Sequence, residues 1–329
     1  MIKNKKILIT GGLGFIGSHL TEELLRFPNK VYLIDNFKTR RKIKLSFINR
    51  YKDKIILIKS GIYQYKKLEK LIKKIDIIFH LAASMGVENV IKKQPTNSIL
   101  NNLKSTELIF QFATKYNKRV IFTSSSEVYG LNTKILVEEA RPNLGNPKIV
   151  RWNYAYTKLT EEFLAMSYFK EKKLKVTVVR LFNTVGEGQT NKNGMVISSF
   201  FSQAISGKPI TVYGDGRQTR TFTYVKDVIY SLIKITMSNK TLGEIINVSG
   251  TSKISIISLA KKIVKITNSD SEIKFIKLNK VYGEGAEDCN QGLPSLKKLQ
   301  KLINYKPDTK LDKILKKLLA QKAFENNVR

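Results

Sequence analysis

The chain has 329 residues, 42% of them hydrophobic, which suffices for a large core in one α/β domain or two closely joined lobes. Its single cysteine, Cys289, excludes an internal disulfide, and no apolar run approaches the roughly 20 residues of a membrane-spanning helix. The net charge of +33 invites an anionic partner such as nucleic acid, a membrane surface or a phosphorylated substrate; the lysines, however, are spread along the whole length in pairs such as Lys66-Lys67 and Lys316-Lys317, as on a solvated face.

In chain order, the apolar stretch Lys6–Thr10 reads as a first strand. It is too short for a signal peptide despite the basic residues before it, so the expected compartment is the cytoplasm. A glycine run, Gly11-Gly12-Leu13-Gly14-Phe15-Ile16-Gly17, follows and leads into a helical pattern that ends at Leu25. Further strands are predicted at Val31–Asp35, Ile55–Lys59, Ile75–His80, Val120–Ser124 and Val176–Leu181. Helices are predicted between them at Gln64–Lys74, Thr96–Tyr116 and Asn153–Glu171. Continuous apolar strands alternating with amphipathic helices indicate βαβ units and a parallel sheet covered on both faces.

After Asn183 the rhythm changes. Gly186–Gly194 is loop-like, Val196–Ile205 and Tyr224–Met237 read as helices, and Ile210–Tyr213 and Glu244–Val248 as strands. Helical patterns return at Ile256–Ile266, Ser295–Leu302 and Leu311–Phe324. The expected division is residues 1–183, with 224–250 returning to them, against a smaller lobe made of 184–223 and 251–329.

Three motifs carry chemistry. The glycine run sits between a strand and a helix, where its backbone can approach a pyrophosphate and the helix amino terminus can face the phosphates. Asp35 ends the second strand, where a carboxylate can accept both hydroxyls of an adenosine ribose and would repel a 2′-phosphate; this favours NAD, although Arg40 and Arg41 stand nearby and an ordinary turn role for Asp35 stays open. Tyr154 and Lys158 are four apart on one predicted helical face. An ammonium and an oxidised nicotinamide would lower the phenol's pKa toward a useful base. Tyr154 could then take a proton from a sugar hydroxyl, and Lys158 could hold the nicotinamide ribose. Tyr156 points elsewhere. Ser124, Ser125 and Ser126 follow the fifth strand at the sheet edge where open α/β folds bind ligands. Glu127 beside them is either a cap on the next turn or an acid/base for a neighbouring carbon.

Taken with His80-Leu-Ala-Ala83, Arg180-Leu-Phe-Asn183 and Gly214-Asp-Gly-Arg-Gln-Thr-Arg220, these motifs resemble those of the extended short-chain dehydrogenase/reductase family, the nucleotide-sugar epimerases, dehydratases and decarboxylases. The resemblance runs nearly end to end. It implies a Rossmann-type doubly wound parallel sheet with a smaller mixed α/β substrate-binding lobe on the C-terminal side. It also implies NAD held by Gly11, Gly14, Phe15, Ile16, Gly17, Asp35, Asn36, Leu81, Ala82 and Lys158. Tyr154 would be the base, Lys158 its partner and Ser125 the active-site hydroxyl. Ser126, Asn183, Val196, Thr211, Tyr213 and Arg220 would contact a UDP-sugar, with Arg220 gripping the diphosphate. Asn102 matches an asparagine that is structural as often as catalytic.

Ser125-Ser126-Glu127-Val128-Tyr129-Gly130, Arg151-Trp152-Asn153-Tyr154 and Tyr282–Asp288 look like the UDP-glucuronate decarboxylase branch. Oxidising C4 of a glucuronate gives a β-keto acid that loses CO2, whereas a 4-epimerase returns the hydride to the other face. Three departures stand out: Gly61-Ile62 in place of Asp-Ile, Gly186-Glu187 in place of Gly-Pro, and Gly292 where an arginine often precedes a late Lys-Pro. Lys297 is a candidate replacement for that arginine. A homodimer through the 96–116 and 153–171 helices is expected from the same resemblance, with neither metal nor nucleic acid. A basic nucleic-acid-binding module and a dehydrogenase releasing NADH are the competing readings.

Overall fold

The computed structural model describes residues 1–37, 49–84, 94–189, 195–282 and 290–327. Arg40, Arg41 and the 283–288 stretch lie outside the described residues. Seven strands make one parallel sheet: β1 (Lys6–Thr10), β2 (Lys30–Asp35), β3 (Ile55–Lys59), β4 (Ile77–His80), β5 (Arg119–Ser125), β6 (Lys175–Leu181) and β11 (Ile245–Val248). Their spatial order is β11-β6-β5-β4-β1-β2-β3, so the chain winds outward in both directions from a switch point between β1 and β4.

Alternation within each strand explains why the runs are apolar throughout. Ile7 and Ile9 of β1 face one core, with Phe79, Ile121 and Val179. Leu8 faces the other, with Ile78, Val120 and Phe122. Helices α1 (Phe15–Leu25) and α6 (Val225–Met237) bury Leu20, Leu24, Val228 and Leu232 against the first face. On the second face, α2 (Leu68–Lys74), α3 (Pro95–Lys115) and α4 (Asn153–Lys172) bury Leu71, Ile109, Phe110 and Tyr168. Each fully buried side chain of this size is worth about 1.5–3 kcal/mol. This is the doubly wound arrangement that the alternating pattern predicts.

Boundaries moved for local reasons. Helix α2 begins only at Leu68, because residues 62–68 form successive turns, Tyr65 N–H to Ile62 O and Leu68 N–H to Tyr65 O. Ile75 ends that helix in extended geometry and so is excluded from β4. Tyr224, expected in a helix, lies in β10 (Thr223–Tyr224), paired in parallel with β7 (Thr184–Val185). Its hydroxyl donates to Glu187.

The remaining elements are α5 (Val196–Ile205), β8 (Ile210–Tyr213), β9 (Thr219–Thr221), β12 (Lys253–Ser255), α7 (Ile256–Thr267), β13 (Ile273–Ile276), α8 (Leu278–Tyr282), α9 (Lys297–Ile303) and α10 (Leu311–Asn327). Strands β7, β9, β10, β12 and β13 were not expected. Each has two to four residues and is stabilised by a distant partner, such as Ile273 on Ile210, which leaves no periodic trace in the sequence. Among the described residues, no helix is long and apolar enough to cross a membrane.

Candidate active site

The glycine turn is built by crowding. Gly11 has φ +69° and its N–H donates to Ile34 O at 2.8 Å. A Cβ on Gly17 would stand 2.2 Å from Gly11 O and 2.8 Å from Gly12 Cα, so nothing larger than glycine fits. Gly14 caps α1 without any side-chain bond, so the positive end of that helix faces the turn where an anion would sit. Asp35 is buried at the end of β2, with Oδ1 accepting from Phe37 N–H and Oδ2 from Leu13 N–H. Burial raises its pKa, against the opposing pull of those two bonds. Asn36, next to it, is exposed. Across the switch point, Leu81 N–H and Ala82 N–H both donate to Thr10 Oγ1 at 3.1 Å.

The chemical residues sit on β5 and α4. Ser125 ends β5 in extended geometry, and its Oγ accepts from Glu127 N–H, capping a 3-10 turn, Ser126–Tyr129. The hydroxyl and the backbone of Glu127 are therefore fixed at the strand's carboxyl end. A second 3-10 turn, Val150–Trp152, leads into α4. It stacks Arg151 on the fully buried Trp152 (4.8 Å to the ring centre) and sets the guanidinium 3.9 Å from Glu127 Oε2. Tyr154, in the first turn of α4, is half-buried. Its pKa lies well above the ordinary phenol value, first through burial, then through the negative charges of Glu161 and Glu127, with the Ser125 hydroxyl pulling partly back.

The sequence expects the Lys158 ammonium and an oxidised nicotinamide together to lower that pKa; in the protein alone the raising effects prevail. Tyr154 and Lys158 do share a helical face, but the ammonium is engaged by Glu161, one turn further along, in a 3.0 Å ion pair, and by Thr123 O at 3.1 Å. The sequence spacing shows the first relation and not the second.

A small cleft is lined by Ser126, Glu127, Gly130, Arg220 and Gln291. It brings Ser126, Glu127 and Arg220 together. Asn183 adjoins it, donating to Thr221 O at 3.0 Å and reaching Gln291 Oε1 at 3.5 Å. Val196 opens α5, while Thr211 and Tyr213 lie on β8; none of the three lines this cleft, and the Thr211 hydroxyl accepts from Gln203. Asn102 clasps the backbone of Ser84, accepting its N–H at 2.7 Å and donating to its carbonyl at 3.2 Å, which is a structural task. A larger concavity on α10, lined by Lys310, Asp312, Lys313, Lys316, Lys317 and Ala320, holds none of the predicted reactive groups.

Residues 7–249 match the NAD dependent epimerase/dehydratase family. The chain belongs to that family. It is 37% identical over 316 residues to a UDP-N-acetyl-alpha-D-glucosaminuronate decarboxylase of Bacillus cytotoxicus, covering 96% of this chain and 97% of that protein. It is 31% identical to UDP-glucuronic acid decarboxylase 1 of Xenopus tropicalis, covering 96% of this chain and 71% of the other. Among solved structures, a UDP-N-acetylglucosamine 4-epimerase from Methanobrevibacter ruminantium M1 superposes with TM-score 0.87 at 30% identity, over 98% of this chain and 100% of that one.

The residues present fit the family's cofactor. The cradle at Gly17 that a Cβ would fill, the uncapped start of α1 and the carboxylate closing β2 match the pyrophosphate and ribose of NAD. Two family features take their meaning from the fold. Arg180 donates to the Glu162 carboxylate through Nε and Nη2 and to Glu138 O, so that motif is a buried clamp between α4 and the sheet. At Gly292 a Cβ would lie 1.8 Å from Lys134 O, so the backbone of residue 134 fills the space an arginine side chain needs. Lys297 is exposed at the start of α9 and does not line the cleft. Gln291, unnoticed in the sequence, takes a place in the cleft beside Arg220; its only signal was its position next to the missing arginine. Glu161 was also missed, since a second glutamate in a polar helix carries no local mark.

Proposed function

We propose that this protein is a decarboxylase of UDP-linked hexuronates, working by transient oxidation at C4. The observation that carries the reading is the Ser125-Ser126-Glu127 turn, fixed at the end of β5 beside Tyr154, with Arg151 next to Glu127. A uronate brings its own negative charge, for which Arg151 is the matched cation at this edge, as Arg220 is for the diphosphate. NAD, when bound, supplies the acceptor that removes a hydride from C4 and later returns it. Tyr154 takes the C4 hydroxyl proton, and Ser125 holds that oxygen in line. Loss of CO2 from the β-keto acid leaves a C4–C5 enolate whose oxygen Ser125 and Tyr154 hold; a proton taken up at C5 restores the ketone, and Tyr154 returns its proton to that oxygen as C4 is reduced. A positioned acid/base of this kind is worth about 10²–10⁴ in rate.

Gly11, Gly14, Phe15, Ile16, Gly17, Asp35, Asn36, Leu81, Ala82 and Lys158 would hold NAD, and Ser126, Asn183 and Arg220 the sugar nucleotide. Val196, Thr211 and Tyr213 are further candidates for substrate contact. We take residues 1–183 with 224–250 as the NAD-binding part and 184–223 with 251–329 as the sugar-nucleotide lobe; the pairing of β11 on β6 supports that return. A cytoplasmic homodimer through α3 and α4 completes the reading, supported by large apolar side chains on the solvent side of both helices, Leu100 and Phe163.

The test is incubation with UDP-glucuronate, its 2-acetamido counterpart, UDP-glucose and UDP-N-acetylglucosamine, with products read by NMR. The expected result is CO2 release and a UDP-pentose from a uronate, without accumulation of NADH. Tyr154→Phe should abolish it. A 4-epimer that keeps its carboxylate would establish the second reading, a UDP-sugar 4-epimerase. The fit to solved 4-epimerases favours that alternative, including a UDP-glucuronic acid 4-epimerase of Bacillus cereus (TM-score 0.85, 29% identity).

A further inference from the structure

Lys158 is held by a group that the proposed reaction does not consume. Its ammonium lies 3.0 Å from Glu161 Oε2, an ion pair without hydrogen-bond alignment, and both side chains are buried. It also donates to Thr123 O and sits 4.6 Å from the centre of the Phe122 ring. A buried ion pair gives little net stability, because desolvation offsets most of the attraction. Stability alone is therefore a poor reason for Glu161 at this place.

Glu161 is anchored in turn. The Thr106 hydroxyl of α3 donates to its Oε1. Thr106 Oγ1 stands 3.0 Å from His80 Nε2, and His80 Nδ1 stands 2.8 Å from Thr10 Oγ1. The direction of the chain follows from the donors available. Thr10 Oγ1 already accepts from Leu81 and Ala82, so its one hydrogen goes to His80 Nδ1. The imidazole proton then sits on Nε2 and points to Thr106, whose own hydrogen points to Glu161. Every member donates toward the carboxylate. The far end is the Leu81–Ala82 backbone at the switch point of the sheet.

We propose that Glu161 is a positioning residue of the Tyr154–Lys158 pair: its carboxylate holds and partly neutralises the Lys158 ammonium, and Thr106, His80 and Thr10 tie that hold to the Leu81–Ala82 edge. The proposal rests on reading Tyr154 as the base. The charged and titratable groups facing this pair are Glu161 from α4, Glu127 from the turn after β5 with Arg151 beside it, and His80 from β4. Two carboxylates oppose the phenolate and one ammonium favours it. While Glu161 pairs with Lys158, much of the ammonium's field is cancelled at Tyr154. Removing the carboxylate leaves that field uncompensated and favours phenolate.

The test compares Glu161→Gln, which keeps the shape, and Thr106→Val, which removes the anchoring hydroxyl, with the wild type. The acid limb of the kcat/KM pH profile should move down by about one pH unit in Glu161→Gln, with a smaller shift the same way in Thr106→Val. In the cofactor-free protein, tyrosinate absorbance is titrated with Tyr154→Phe versions subtracted. The Tyr154 signal should appear at lower pH in Glu161→Gln than in the wild type. A lower kcat with an unmoved limb and an unmoved titration in both variants would show a purely structural carboxylate and overturn the proposal. Turnover surviving in Tyr154→Phe would instead remove the base itself, a separate failure.

Discussion

Gly17 shows how one missing carbon can decide a site. Its place opposite Gly11 O is set by backbone, not by a side chain that could swing away. Gly17→Ala should therefore push the turn open and separate the α1 amino terminus from the phosphates it would bind. The expected result is a loss of NAD affinity of about tenfold or more, where each tenfold is about 1.4 kcal/mol. Calorimetric titration of NAD checks it; unchanged affinity would mean the turn yields more easily than its contacts indicate. Asp35 works at the same scale in a different way. Its two oxygens stitch Leu13 and Phe37 together, so the residue shapes the turn as well as facing the ribose position. The sequence favoured a ligand role and left a turn role open; the geometry gives it the turn, with lone pairs remaining for a ligand.

Elements meet at His80. It ends β4 and bridges β1 through Thr10 to α3 through Thr106. Burial, with the charge of Lys158 adding to it, lowers its pKa to about 3. The unfolded chain binds that proton near the ordinary histidine value of about 6.5, so below that pH the unfolded state holds more protons than the folded one. Stability contributed by neutral His80 is fully present above about pH 6.5 and is lost as pH falls toward 3, at up to about 1.4 kcal/mol per pH unit. Urea midpoints should fall between about pH 6.5 and pH 4 in the wild type, and His80→Gln should flatten that slope. An equal slope in both proteins would show that other groups carry the acid sensitivity. The chain has only one other histidine, His19, which keeps the comparison clean.

At the scale of the whole molecule, winding in both directions from the β1–β4 switch point brings the glycine turn, the Leu81–Ala82 edge and the end of β5 to one rim of the sheet. The outer sides of α3 and α4 remain. Phe163 is 68% exposed and Leu100 45%, an apolar burden suited to a second copy of the chain. Phe163→Asp should convert a dimer to a monomer, seen by light scattering after gel filtration. A monomeric wild type would reject the α3–α4 interface. The charge of +33 is spread along the chain, and lysines also line the concavity on α10.

Much of this was legible in the chain itself. Period and composition determine seven strands and their helices, because covering both faces of a parallel sheet demands unbroken apolar runs in its inner strands. Glycine spacing determines the cofactor turn, because only residues without a Cβ can pack Gly17 against Gly11. The Tyr154–Lys158 spacing determines a shared helical face. Tertiary structure alone decided which way Lys158 turns, that Glu161 meets it, that Gln291 enters the cleft and that Gly292 leaves no room for an arginine. It also decided the short strands β7, β9, β10, β12 and β13. In each case the deciding partner lies far away in the chain, and local pattern carries no record of a contact that exists only once distant segments have packed.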